Sequence, residues 1–342
     1  MAAERPNRAA VLHGVGDLRI EELARPEPGP HEVLVHIRSV GVCGSDVHYY
    51  EHGRIGDFVV KAPLVLGHES SGVVVGRGAG ATRHEIGQRV ALEPGVPCGV
   101  CRECRAGRYN LCPDVRFFAT PPIDGAFATY VTINEQYAYA LPDSVSDDAG
   151  ALLEPLSVGV WANRKAGTTI GSRVLVTGAG PIGILTALVA KAAGAAHVMI
   201  VDVNADRLRQ SSELGIDEAI DGRNRPDLAA RQPDVLLECT GVTPVVRSGI
   251  LALAPAGRAV LVGMGAQAEQ SLPVAAIQAR ELTVTGTFRY ANTYPEAIAL
   301  AASGRIPLDA LVGARLPLEK AEAALRMGHT DPSVLKTIVT IG

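Results

Sequence analysis

The sequence predicts an α/β chain of two domains, one mostly β and one a doubly wound parallel sheet. Three observations carry this. The 342 residues exceed what a single hydrophobic core fills. Before Asp147 the texture is short alternating strands separated by turn clusters. After Asp147 strands alternate with helices, as crossover connections between parallel strands require. Apolar residues make up 47% of the chain and charged residues 20%, with mean hydropathy +0.17, enough to bury a large core.

Taken in order, Val33, Val35 and Ile37 alternate with His36 and Arg38, a period-two strand following the turn cluster Arg25 to Pro30. Similar short strands continue through Ser71 to Val75, Arg89 to Leu92 and Phe127 to Ile133. The second part opens with a strand at Arg173 to Thr177, then Gly178-Ala-Gly180-Pro-Ile-Gly183 and a helix closed by Gly194. A strand His197 to Asp202 and a helix from Asn204 to Leu214 follow. Asp234 to Cys239, Arg258 to Gly263 and Leu282 to Gly286 read as three further strands, with Cys239 as core packing. The tail loses this rhythm: helices at Tyr294 to Ser303 and Glu319 to Gly328, then a strand Leu335 to Ile341.

Charge and hydropathy exclude some partners. Net charge is −4, and apart from Arg102, Arg105 and Arg108 the arginines are scattered, so no nucleic acid is expected. The start MAAERPNRAAVLHG has no apolar core with a cleavage site, and the apolar run Ile184 to Val203 is broken by Lys191, His197 and Asp202. The expectation is a cytoplasmic protein away from the membrane.

Four of the six cysteines, Cys98, Cys101, Cys104 and Cys112, form a tight cluster in a Gly- and Arg-rich segment. In a reducing compartment this pattern favours metal over disulfides. Short Gly-containing turns let successive thiolates converge, and four thiolates leave no open position, the mark of structural zinc. An iron–sulfur cluster is the competing reading, without electron-transfer context elsewhere in the chain. A second set is dispersed: Cys43, then His68-Glu69, then Glu154. One thiolate, one imidazole and one carboxylate leave a position free, which distinguishes catalytic zinc.

Gly178, Gly180 and Gly183 sit between a strand and a helix, and Asp202 ends the next strand 19 residues after Gly183. That context marks a dinucleotide site. The first glycine permits the tight turn, the second admits the pyrophosphate, and the third allows close helix–sheet packing. Asp202 would hold the ribose hydroxyls and repel a 2′-phosphate, so NAD is expected over NADP. Arg207, one helical turn further on, packs beside the adenine or faces solvent as a helix-surface charge.

Together these motifs resemble the medium-chain zinc-dependent alcohol dehydrogenases, and within them the sorbitol, xylitol and related polyol dehydrogenases. The segments His48 to Phe58, Phe117 to Pro122 and Thr287 to Pro295 carry the closer likeness. The resemblance implies a GroES-like catalytic domain from residues 1–150 and 290–342, with a Rossmann NAD-binding domain over 151–289. It places catalytic zinc on Cys43, His68 and Glu69 with a water that Glu154 hydrogen-bonds, the two glutamates being able to exchange. Classical alcohol dehydrogenases have a cysteine where Glu154 stands. By the same resemblance Tyr49, Arg289 and Tyr290 bind substrate hydroxyls, and Ile182, Val262, Gly263, Met264 and Phe288 line the cofactor. Two zincs per subunit and a homotetramer are implied.

The implied chemistry is hydride transfer from a secondary hydroxyl of a polyol to NAD. Zinc acidifies the hydroxyl as it acidifies bound water. Ser45 and His48, two and five residues after Cys43, match the family's proton-relay positions, with Glu154 and its water as a competing route. Alternatives are a relative acting on threonine, a vicinal diol, an inositol-like ring or a sugar phosphate. From a different class comes a non-enzymatic zinc- and dinucleotide-binding redox sensor.

Overall fold

In the computed structural model, which describes residues 6–265, 267 and 269–342, the chain divides into two units. One comprises Met1–Glu154 with Ala301–Gly342, the other Pro155–Leu300. The chain returns to the first unit later than residue 290. The physical reason is Arg164, whose guanidinium bonds the Asn292 carbonyl at 3.2 Å and the Glu296 carboxylate at 3.0 Å, holding that stretch to the second unit.

The first unit is built on the strand Glu32–Gly41, which pairs antiparallel with Glu69–Arg77, Tyr130–Asn134 and Lys336–Thr340 in a seven-stranded sheet. Val33, Val35 and Ile37 are fully buried, as the alternation requires. The simple inside–outside pattern fails for His36, which is also buried, its ring 5.1 Å from that of Tyr130. A strand flanked on both edges and covered on both faces has no solvent side. Each such aliphatic contributes about 1.5–3 kcal/mol by burial. The strand Tyr130–Asn134 starts later than Phe127, which lies in the core before it.

The second unit holds six parallel strands in the order Glu218–Asp221, His197–Asp202, Arg173–Thr177, Val235–Glu238, Arg258–Leu261, Thr283–Gly286. This is the Rossmann arrangement, with Leu175, Met199 and Leu236 in its core. Two strands are shorter than expected. Val235–Glu238 stops before Cys239, which is half-buried rather than core, and Arg258–Leu261 stops because Val262 and Gly263 both donate to the Glu238 carbonyl. The short charged strand Glu218–Asp221 and the helix Thr243–Ala252 carry no clear periodic signal in sequence. Among the described residues no helix is long and apolar enough to cross a membrane.

Candidate active site and dinucleotide crevice

Cys43 is the N-cap of the helix Gly44–His52. The cap is closed by Asp46, a residue the sequence reading passed over. Its carboxylate accepts from the Cys43 amide at 3.0 Å and the Gly67 amide at 2.9 Å, and lies 3.7 Å from His68 Nδ1. One buried aspartate thus ties the Cys43 loop to the Gly67-His68-Glu69 turn. Gly67 adopts φ +86°, and a Cβ there would meet the Phe127 ring at 2.7 Å, so only glycine fits.

The outcome is that Cys43, His68 and Glu69 offer a sulfur, a nitrogen and an oxygen all within 4.8 Å of one another. Both Glu69 oxygens also face the ammonium of Lys336, at 2.6 and 2.5 Å, and that ammonium donates to the Val42 carbonyl at 2.9 Å. Burial alone would lower the Lys336 pKa; the charges of Glu69 and Cys43 overcome this and raise it. Lys336 comes 267 residues after Glu69, so no local spacing could have signalled it. Glu154, buried at the start of the helix Leu153–Ala166, stands outside the three-donor group. On the helix Gly44–His52, Ser45 is half-buried, His48 exposed and Tyr49 buried.

The second donor set is Cys98, Cys101, Cys104 and Cys112, again within 4.8 Å. Cys101 and Cys104 sulfurs are 3.4 Å apart and those of Cys98 and Cys112 3.5 Å. The Val100 and Cys101 amides draw the Cys98 thiol pKa down, readying it as a thiolate. Four convergent sulfurs suit a closed tetrahedral zinc; three mixed donors suit an open one.

The dinucleotide residues gather at the carboxyl end of the parallel sheet. Gly178 has φ +90°. A Cβ on Gly183 would stand 1.8 Å from the Gly178 carbonyl, while one on Gly180 would meet nothing within 4 Å. The middle glycine therefore fronts open space at the N-cap of the helix Pro181–Ala192, a cradle suited to a pyrophosphate. Asp202 faces the same turn, accepting from Ala179 N at 2.5 Å and Asn204 N at 2.8 Å. The Arg207 Nε atom is buried without a hydrogen-bond partner, as a group awaiting a ligand would be. Ile182 is half-buried, Val262 and Gly263 follow the strand Arg258–Leu261, and Met264 is 72% exposed. Arg289 lies 4.9 Å over the Phe288 ring, and Tyr290 is buried 6.0 Å from Tyr294.

Comparison with known proteins finds relatives over nearly the whole chain. Residues 29–143 match the alcohol dehydrogenase GroES-like domain and residues 181–303 the zinc-binding dehydrogenase domain. Chicken (Gallus gallus) sorbitol dehydrogenase is 50% identical over 330 residues, covering 94% of this chain and 93% of that protein. This chain belongs to the zinc-binding dehydrogenase family. Among solved structures, this dehydrogenase is similar to 2R,3R-butanediol dehydrogenase from Bacillus subtilis, at 31% identity and TM-score 0.91 over 98% of this chain and all of that one. A zinc-binding dehydrogenase from Sinorhizobium meliloti bound to NADP superposes at TM-score 0.90, with 30% identity over 98% of this dehydrogenase and all of that chain.

Proposed function

We propose that this dehydrogenase oxidises a secondary hydroxyl of a polyol to a ketone with NAD. The observation that carries the reading is the three-donor group Cys43, His68 and Glu69, in a chain so like a sorbitol dehydrogenase. Those three residues would hold the catalytic zinc, and Cys98, Cys101, Cys104 and Cys112 the structural one. When bound, the metal supplies a Lewis acid that acidifies the hydroxyl, and the oxidised dinucleotide takes the hydride. The balance is one ketone, one reduced dinucleotide and one proton per alcohol.

The chain's own residues then have distinct tasks. Asp46 and Lys336 fix the donors in place. Ser45 and then exposed His48 carry the proton from the loop to solvent, with Glu154 as the competing acceptor. Tyr49, Arg289 and Tyr290 are the proposed partners of substrate hydroxyls, polar where an ethanol-like substrate would need an apolar slot. Asp202 selects NAD. Six free cysteines suit a reducing cytoplasm, and a homotetramer completes the reading.

The test is a panel of initial rates with NAD. A pentitol or hexitol should turn over fastest. Faster oxidation of threonine, butanediol, inositol or a sugar phosphate would replace the substrate class. Tight dinucleotide binding with two bound zincs and no turnover on any compound would instead favour the redox-sensor reading.

A further inference from the structure

Glu238 ends the strand Val235–Glu238 and is completely buried. Its side chain is surrounded by donors. One oxygen accepts from the Thr177 hydroxyl at 3.2 Å, the Thr240 amide at 2.8 Å and the Thr240 hydroxyl; the other accepts from the Gly241 amide at 3.0 Å. The Thr240 oxygen in turn takes the Val242 N–H at 3.0 Å, so its own proton points to Glu238. A group met only by donors is held as the carboxylate. Among the described residues no lysine, arginine or histidine pairs with it, so the charge is stabilised by neutral dipoles alone. Burial, and next the charge of Glu238, push the neighbouring Cys239 thiol pKa upward.

The position of this charge matters more than its existence. The chain lays down Arg173–Thr177, builds two strands to one side, then returns to place Val235–Glu238 on the other. The direction of the sheet therefore reverses between Thr177 and Glu238, which are paired in register. In open parallel sheets the ligand crevice lies at this reversal, outside the carboxyl ends of the strands. Glu238 also builds its floor. Its carbonyl takes the Val262 and Gly263 amides at 2.8 and 2.9 Å, and Thr240, which it fixes, would lie 2.9 Å from a Cβ on Gly178.

We propose that Glu238 is a specificity-determining residue for the oxidation state of the dinucleotide, its uncompensated charge favouring the cationic nicotinamide of NAD⁺ over the neutral ring of NADH. The inference rests on the dinucleotide reading above. The two cofactor forms differ at the ring by one positive charge, and a buried carboxylate distinguishes them through low-dielectric surroundings while leaving the shared phosphates and riboses alike. Such a bias favours loading with the oxidised cofactor and release of the reduced one.

The experiment uses zinc-loaded protein and calorimetric titration with NAD⁺ and with NADH, needing no turnover. Glu238→Gln and Glu238→Thr both remove the charge, and either soluble, natively folded one suffices. The expected result is NAD⁺ affinity lowered roughly three- to tenfold relative to NADH affinity, with the wild-type ratio restored in Glu238→Asp. Equal weakening of both cofactors, or no change in the ratio, would overturn the proposal and leave Glu238 as loop support. Wild-type protein that binds neither cofactor would overturn the dinucleotide reading itself, a distinguishable failure.

Discussion

Glu93 offers a quantitative test of how this dehydrogenase joins its cysteine lobe to its sheet. It follows the strand Arg89–Leu92, is 1% exposed, and accepts from the Tyr109 hydroxyl at 2.7 Å and the Tyr139 hydroxyl at 2.9 Å. Burial pushes its pKa from 4.5 up to about 7; the two tyrosine hydrogen bonds oppose the shift and the charge of Glu154 adds to it. A carboxyl raised in the folded state favours folding while protonated and loses that stability as pH climbs from about 4.5 through about 7. The full cost of ionising it in the fold is about 3 kcal/mol, of which about 1.4 kcal/mol falls between about pH 6 and pH 8.5. Glu93→Gln keeps the shape, with one tyrosine still donating and the other able to accept, and removes the titration. The urea midpoint of the variant relative to that of wild type should rise across that range. A variant stability relative to wild type that stays constant with pH, or that falls as pH rises, would refute the argument.

Two further outcomes follow from the geometry. Cys101→Ser should leave three sulfurs in the lobe and lower stability by about 3 kcal/mol, roughly 10 °C in melting temperature, with metal content falling by one zinc per chain while the remaining site still supports turnover. Lost turnover with intact stability would exchange the assignments of the two donor sets. Asp202→Ala removes the acid beside the phosphate turn and should improve the ratio of kcat/KM with NADP to that with NAD by about tenfold, whereas an unchanged ratio would place the determinant elsewhere.

Much of the site is legible in sequence because its parts are local. Cys98 to Cys112 and Gly178 to Gly183 each lie within one loop, where spacing alone dictates what can converge. Five of the six strands of the second unit are legible for the same reason, each being a short apolar run bounded by glycine or a charge, whereas the charged strand Glu218–Asp221 is not. What escaped was held by distance or by a single unassuming residue. Asp46 has no periodic signature, yet it caps Cys43 and Gly67 together. Lys336 sits in a strand whose apolar pattern gives no reason for a lysine, and only the antiparallel pairing of Ile338 with Gly41 brings it to Glu69. His36 escaped because burial on both faces of a central strand depends on which strands flank it, which is a property of topology rather than of the ten residues themselves.

The Lys336–Glu69 pair sets an order of events for the nascent chain. By the time the ribosome adds Lys336, it has already translated the entire Rossmann unit, since 267 positions separate the two partners. Until then Glu69 lacks the Lys336 ammonium, and the central sheet lacks the strand Lys336–Thr340. The ion pair that fixes Glu69, and the strand that completes the sheet around it, are therefore both made only in the last stretch of synthesis.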